Sequence, residues 1–148
     1  MSHLLYFLAI SSFMIYVHGD TEFKETLNLT MDMTCSVRED WCFSLTIFTV
    51  QKIVKAPVDI YPRDKTFLQK EICSRTASAR PKFDNVPVSS PFKEGVRVNY
   101  QLSHTCSTDG KPDCIVPNHP YYIPFDKKDY KFAPHEVGIS TGRGECKD

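Results

Sequence analysis

From Leu27 to Val37 apolar and polar residues alternate without a break. Leu27, Leu29, Met31, Met33, Cys35 and Val37 are separated by Asn28, Thr30, Asp32, Thr34 and Ser36. A period of two sends successive side chains to opposite faces, so this run predicts a strand with one buried face. Arg38, Glu39 and Asp40 follow as a polar turn. A second strand is expected from Trp41 to about Val54, with Phe43, Leu45 and Ile47 on one face and a looser pattern after Thr49. The short spacing predicts that these two strands form a hairpin.

Residues 55–66 carry Pro57, Pro62 and mixed charge and read as a connection. Thr66 to Cys73 predicts a third strand, with a short helix as the competing reading. Residues 74–95 hold Pro81, Pro87, Pro91 and Gly95 and read as irregular, with a short strand near Phe83 to Val88. Alternation returns from Val96 to Cys106, through Val98, Tyr100, Leu102 and His104. Asp109, Gly110 and Pro112 are turn chemistry. Pro120 to Phe125 suits an edge strand, because proline cannot donate to a ladder. Val137 to Ser140 is a candidate last strand before Gly142, Arg143 and Gly144. Short strands with turn signals between them predict an all-β two-sheet sandwich.

The first nineteen residues stand apart. Leu4 to Val17 is almost wholly apolar, no Asp, Glu, Lys or Arg precedes Asp20, and Val17-His18-Gly19 fits a signal-peptidase site. Residues 1–19 are therefore expected to be a secretory signal peptide, and residues 20–148 one domain. The apolar run is shorter than the ~20 residues a membrane span needs, and no later stretch is long enough. Eighteen basic and eighteen acidic residues give a formal net charge of zero. Neutrality argues against nucleic acid, where phosphate neutralisation needs a basic surplus, and lends nothing to strong binding of anionic membranes.

Six cysteines follow the leader: Cys35, Cys42, Cys73, Cys106, Cys114 and Cys146. An even count behind a signal peptide points to three disulfides. No pair has the Cys-x-x-Cys spacing that structural zinc favours, so no metal or other cofactor is expected. Asn28-Leu29-Thr30 is a glycosylation sequon and predicts an exposed Asn28. No catalytic residues stand out. His104 falls on the apolar side of its strand and reads as a packed histidine with a satisfied hydrogen bond. His119 and His135 are linked to no Ser or Cys nucleophile. Tyr121, Tyr122, Lys127, Lys128 and Lys131 mix aromatic and cationic side chains as binding patches do, and form the candidate binding surface. Arg75, Arg80 and Lys82 make a weaker version of it.

The run Tyr100 to Cys106 ends in His104-Thr105-Cys106. It is followed by Lys111 to Cys114, Tyr122-Ile123-Pro124-Phe125, Val137-Gly138-Ile139 and Glu145-Cys146. Together these resemble the C-terminal half of the nematode transthyretin-like family, and Met33-Thr34-Cys35 is similar to that family's opening strand. Cys42 and Cys73 look like additions to the family's usual four cysteines, and the family's Asp-rich segment is not matched cleanly. The resemblance implies a sandwich in which the second long strand lies between the third and the fifth. Through that topology it implies bridges Cys42–Cys73, Cys35–Cys106 and Cys114–Cys146. It also implies a secreted, non-catalytic protein of the extracellular space, a monomer or weak dimer that binds or bridges a protein or lipid partner at cell surfaces. A carrier of a small hydrophobic ligand is the first alternative. A transthyretin-related hydrolase is the second, and the terminal Tyr-Arg-Gly-Ser of those enzymes is missing here.

Overall fold

The computed structural model describes residues 21–138 and Cys146. The expected leader, residues 1–19, lies outside the described residues, as do Ile139, Ser140 and the Gly142 to Gly144 segment. The described chain forms β1 (Phe23–Thr34), β2 (Trp41–Val50), β3 (Ile53–Lys55), β4 (Val58–Ile60), β5 (Arg63–Ser74), β6 (Ser78–Ala79), β7 (Lys82–Ser90), β8 (Gly95–His104), β9 (Asp113–Ile115), β10 (Tyr121–Pro124) and β11 (Asp129–Glu136). No helix forms among these residues.

Two sheets face each other. In one, β1 is central, with β11 on one side and β7 and β6 both paired directly to it on the other, β7 along Phe23 to Thr30 and β6 at Met33 and Thr34. In the other, the order is β10-β8-β2-β5, with β9 also on β8. Pairing is antiparallel except between β1 and β11, which run parallel. The second long strand, β2, lies between the third, β5, and the fifth, β8. The alternation explains the layers. Leu27, Leu29, Met31 and Met33 of β1 are at most 1% exposed, and they meet the equally buried Val98 and Leu102 of β8 and Leu45 and Ile47 of β2.

The expected hairpin between the first two strands does not form. β1 and β2 lie in opposite sheets, and residues 35–40 turn the corner between them. Side by side, both apolar faces would point the same way and both would still need cover. In opposing layers they bury each other. The loosened pattern after Ile47 also has a cause. Register shifts against β5 on either side of Phe48 bury Ile47, Phe48, Thr49 and Val50 in succession. The region 74–95 is more regular than its prolines suggest: β7 spans nine residues, and Pro87 sits within its pairing with β1. β11 forms over Asp129–Glu136, where the sequence pattern predicts no strand. Val137 and Gly138 are not strand.

Three bridges close one end: Cys35–Cys106, Cys42–Cys73 and Cys114–Cys146. They are the pairs that the family resemblance implies. Cys35–Cys106 is buried and joins the end of β1 to the segment after β8, sheet to sheet. Gly138 lies against it so closely that a Cβ there would stand 2.2 Å from the Cys106 Sγ. Cys42 and Cys73 are direct cross-strand partners, and Cys114–Cys146 ties β9 to the C-terminal segment. Loops of 31 to 71 residues are closed by these bridges, each contributing on the order of 2–4 kcal/mol.

Leu45→Ala should lower the unfolding free energy by about 2–5 kcal/mol in denaturant titrations, because its site is fully enclosed. Val54→Ala, on a side chain 78% exposed, should change it by less than about 0.5 kcal/mol.

Candidate functional site at the open end of the sandwich

Opposite the disulfides the sandwich is unstapled. Here the chain leaves β2 at Gln51, makes the two-stranded hairpin β3–β4 around a cis Ala56–Pro57 bond, and returns into β5. Ile53 pairs with Ile60, Val54 with Asp59 and Lys55 with Val58. Directly opposed residues share a face, so one face carries Ile53, Ile60, Val58 and the Lys55 stem. The other carries Val54 beside the Lys52–Asp59 ion pair, 2.7 Å long. Val54 and Val58 are 78% and 66% exposed. The segment was read as a connection because of Pro57 and Pro62. The signal for it was Ile53-Val54 before Ala56-Pro57, with Val58 and Ile60 after it.

Phe92, in the loop before β8, is exposed on the same end, with the Arg97 guanidinium 5.8 Å from its ring centroid. Arg97 is the cross-strand partner of Tyr122. The Tyr122 ring in turn lies over Gly95, where an added Cβ would stand 2.8 Å from the ring and 2.5 Å from the Ile123 carbonyl oxygen. Only glycine permits that approach. A cavity of about 260 Å³ joins this group to the hairpin base, lined by Gln51, Lys52, Pro91, Phe92 and Arg97. Among the described residues eight large apolar side chains are exposed. Six of them (Ile53, Val54, Val58, Ile60, Phe92 and Tyr122) belong to this hairpin and the Phe92–Tyr122 group beside it; Val37 and Val116 are the others.

The five residues expected to make one patch are not brought onto one surface. Tyr121 points inward and stacks with Tyr100, with Phe132 and Tyr130 edge-on to it at 5.2 and 6.2 Å. Burial, then the neighbouring Tyr121 hydroxyl, raises the Tyr100 phenol above its ordinary range. Tyr122 points out of the opposite face of β10. Lys128 pairs with Glu25, and Lys131 with Asp32 at 2.6 Å on the outer face of the other sheet. Lys127 is exposed in the loop after β10. The cause is period two: Tyr121 and Tyr122 are neighbours in sequence and so face opposite ways. Arg80, from the weaker basic cluster, joins the same Asp32 through two hydrogen bonds of 3.1 Å. Lys131 and Arg80 hold that carboxyl below its ordinary value.

Asn28 is half-buried rather than exposed. Its Nδ2 donates to Asp129 of β11 at 3.0 Å. Its Oδ1 accepts from the Asn85 backbone of β7, also at 3.0 Å, where Asn85 adopts φ 54°. The sequon side chain thus clamps both neighbours of β1. A separate open cleft of about 510 Å³ runs between the sheets beside β5, lined by Phe67, Pro87 and Val88 with Lys24 and Lys65 at its rim. Glu22 spans it by accepting from Lys65 and from Ser89 Oγ, and Lys65 first, Ser89 second lower its pKa.

His104 is buried as expected, but its hydrogen bond is not satisfied: neither ring nitrogen meets a partner at full hydrogen-bond geometry. Burial lowers its pKa, against a smaller upward pull from the Asp113 carboxylate and the Cys106 backbone. His119 is exposed between β9 and β10. Among the described residues no three His, Cys, Asp or Glu side chains gather as a metal site, and no helix is long and apolar enough to cross a membrane.

Over residues 30–148 the chain matches the family described as Caenorhabditis elegans protein of unknown function (DUF870), and it belongs to that family. No curated protein and no solved structure matches it.

A histidine whose folded pKa is lowered binds its proton more readily when unfolded, so stability must fall as pH drops through the ordinary value of 6.5. Denaturant titrations at pH 7.5 and 5.0 should find the protein weaker at pH 5.0. His104→Leu should flatten that difference. The lowered carboxylates Glu22, Glu25 and Asp32 act in a separate window, losing their contribution only below about pH 4.5.

Proposed function

We propose that this member of the DUF870 family is a secreted, extracellular binding or bridging protein of the transthyretin-like type. It works without catalysis and engages a cell-surface protein or lipid through the open end of its sandwich. The observation that carries this reading is the gathering of Ile53, Val54, Val58, Ile60, Phe92 and Tyr122 at that end. A monomer that left them in water would forgo several kcal/mol of burial, and exposed apolar side chains rimmed by charge are what docking surfaces present. Lys52, Lys55, Lys93, Arg97 and Lys127 supply the rim.

The strand order and the three bridges support the transthyretin-like reading, and three disulfides agree with folding in an oxidising compartment. The proposed leader at residues 1–19 would deliver the chain there. A carrier of a small hydrophobic ligand is the second reading, favoured by the apolar cleft lined by Phe67, Pro87 and Val88, whose size suits one small molecule. The hydrolase reading has less support, because His104 is packed in the core and His119 stands in an exposed loop.

The full chain, secreted with its bridges intact and applied to live cells, should bind them. Val54→Ser, Val58→Ser and Phe92→Ser combined should weaken that binding about tenfold or more, since buried apolar anchors carry most of an interface's energy. Val37→Ser with Val116→Ser should leave it unchanged. Equal binding by both variants would refute the docking end, and measurable hydrolysis of hydroxyisourate would refute the non-catalytic reading.

A further inference from the structure

Glu22 holds a place that a ligand could take. It lies just before β1, outside any strand, and its carboxylate accepts from the Lys65 ammonium and, at 2.8 Å, from Ser89 Oγ. Lys65 belongs to β5 and Ser89 to β7, so one carboxylate spans the mouth of the open cleft between the sheets. Lys65 first and Ser89 second lower its pKa, so the mouth favours a negative carboxylate. Lys24 lines the same cleft, and Glu25, which also lines it, is already paired with Lys128. With Glu22 swung away, the mouth is cationic.

Behind the mouth the cleft is apolar, walled by Phe67, Pro87 and Val88, and its volume of about 510 Å³ is that of a small-molecule site. The backbone of β5 departs from regular pairing at this place. Phe67 is an extra residue between the pairs Ile47–Leu68 and Phe48–Thr66, and Asp64 and Lys65 together stand opposite the single Thr49. Bulges re-aim side chains and are common beside binding sites. The buried Thr49 holds the second one, its Oγ1 accepting from the Lys65 backbone N–H at 3.0 Å. The ammonium at the mouth and the ring on the wall thus both come from the irregular stretch of the strand.

We propose that this cleft binds a free long-chain carboxylate, its chain against Phe67, Pro87 and Val88 and its head between Lys65 and Ser89 in place of Glu22. Glu22 is then a built-in competitor. It leaves without breaking a ladder, because pairing with β7 begins at Phe23. This ligand class rests on the carrier reading above and is independent of the docking end.

Isothermal titration calorimetry on the full secreted chain, bridges intact, tests it with decanoate and, as the uncharged arm, the corresponding primary alcohol. Decanoate should bind about tenfold more tightly than the alcohol, as a charge-assisted hydrogen bond provides. Lys65→Gln should abolish that preference and leave the alcohol unaffected. Glu22→Gln should tighten decanoate about threefold, since an exposed ion pair is a weak competitor, and again leave the alcohol unaffected. Both side chains are exposed, so neither change threatens the fold. Equal affinity for the two ligands in the wild type, or a preference that survives Lys65→Gln, would overturn the carboxylate while the carrier reading stands. Decanoate binding that Glu22→Gln leaves unchanged or weakens would overturn the displacement of Glu22. Binding of neither ligand would remove both the inference and the carrier reading.

Discussion

The burial of two period-two faces against each other is the constraint on which the rest of this molecule depends. β1 offers Leu27, Leu29, Met31 and Met33, and β8 with β2 answers with Val98, Leu102, Leu45 and Ile47. The faces are complete only when β1 and β2 lie in different layers, and that choice routes the whole chain. It sends residues 35–40 around one end, where Cys35 meets Cys106 across the layers. It leaves the other end to the β2–β5 connection, the β7–β8 loop and the loop after β10. The protein is therefore polar along its strands, with one end cross-linked and one end open.

That polarity gives the hairpin β3–β4 its interest. An isolated two-stranded ribbon is marginal in water. This one keeps its best apolar side chains outside the core, at the end where none of the described residues covers them. Phe92 and Tyr122 join it because β8 and β10 terminate there, with Gly95 cut back to let the Tyr122 ring settle. Lys128, Lys131 and Lys65 are spent within the chain, on Glu25, Asp32 and Glu22. Apolar surface, with exposed cations at the rim, is what remains exposed at this end.

Much of the fold was legible where burial is one-sided. The alternations at residues 27–35 and 96–106 announced β1 and β8, and the edge position of β10 followed from Pro120 and Pro124. Legibility failed where tertiary context overrode local pattern. The turn at Arg38 to Asp40 looks the same whether it joins neighbours in one sheet or opposite layers. β11 hides among Lys127, Lys128 and Lys131 because few of its described residues, Tyr130 and Phe132 among them, face inward, while Lys131 on its outward side is ion-paired. The patch drawn around Tyr121 ignored that adjacent strand residues point apart. The hairpin was masked by Pro57 and Pro62, and the clamp made by Asn28 needs Asp129 and Asn85, remote in sequence.

Hydrogen–deuterium exchange on the oxidised protein measures this polarity directly. If the sandwich is closed at the disulfide end and open at the other, amides of Leu27 to Met33, Leu45 to Ile47 and Val98 to Leu102 will exchange slowest. Those of Ile53 to Ile60 will exchange faster by orders of magnitude. Protection of the hairpin equal to that of the core strands would mean that it is already packed within the chain, and would contradict the account.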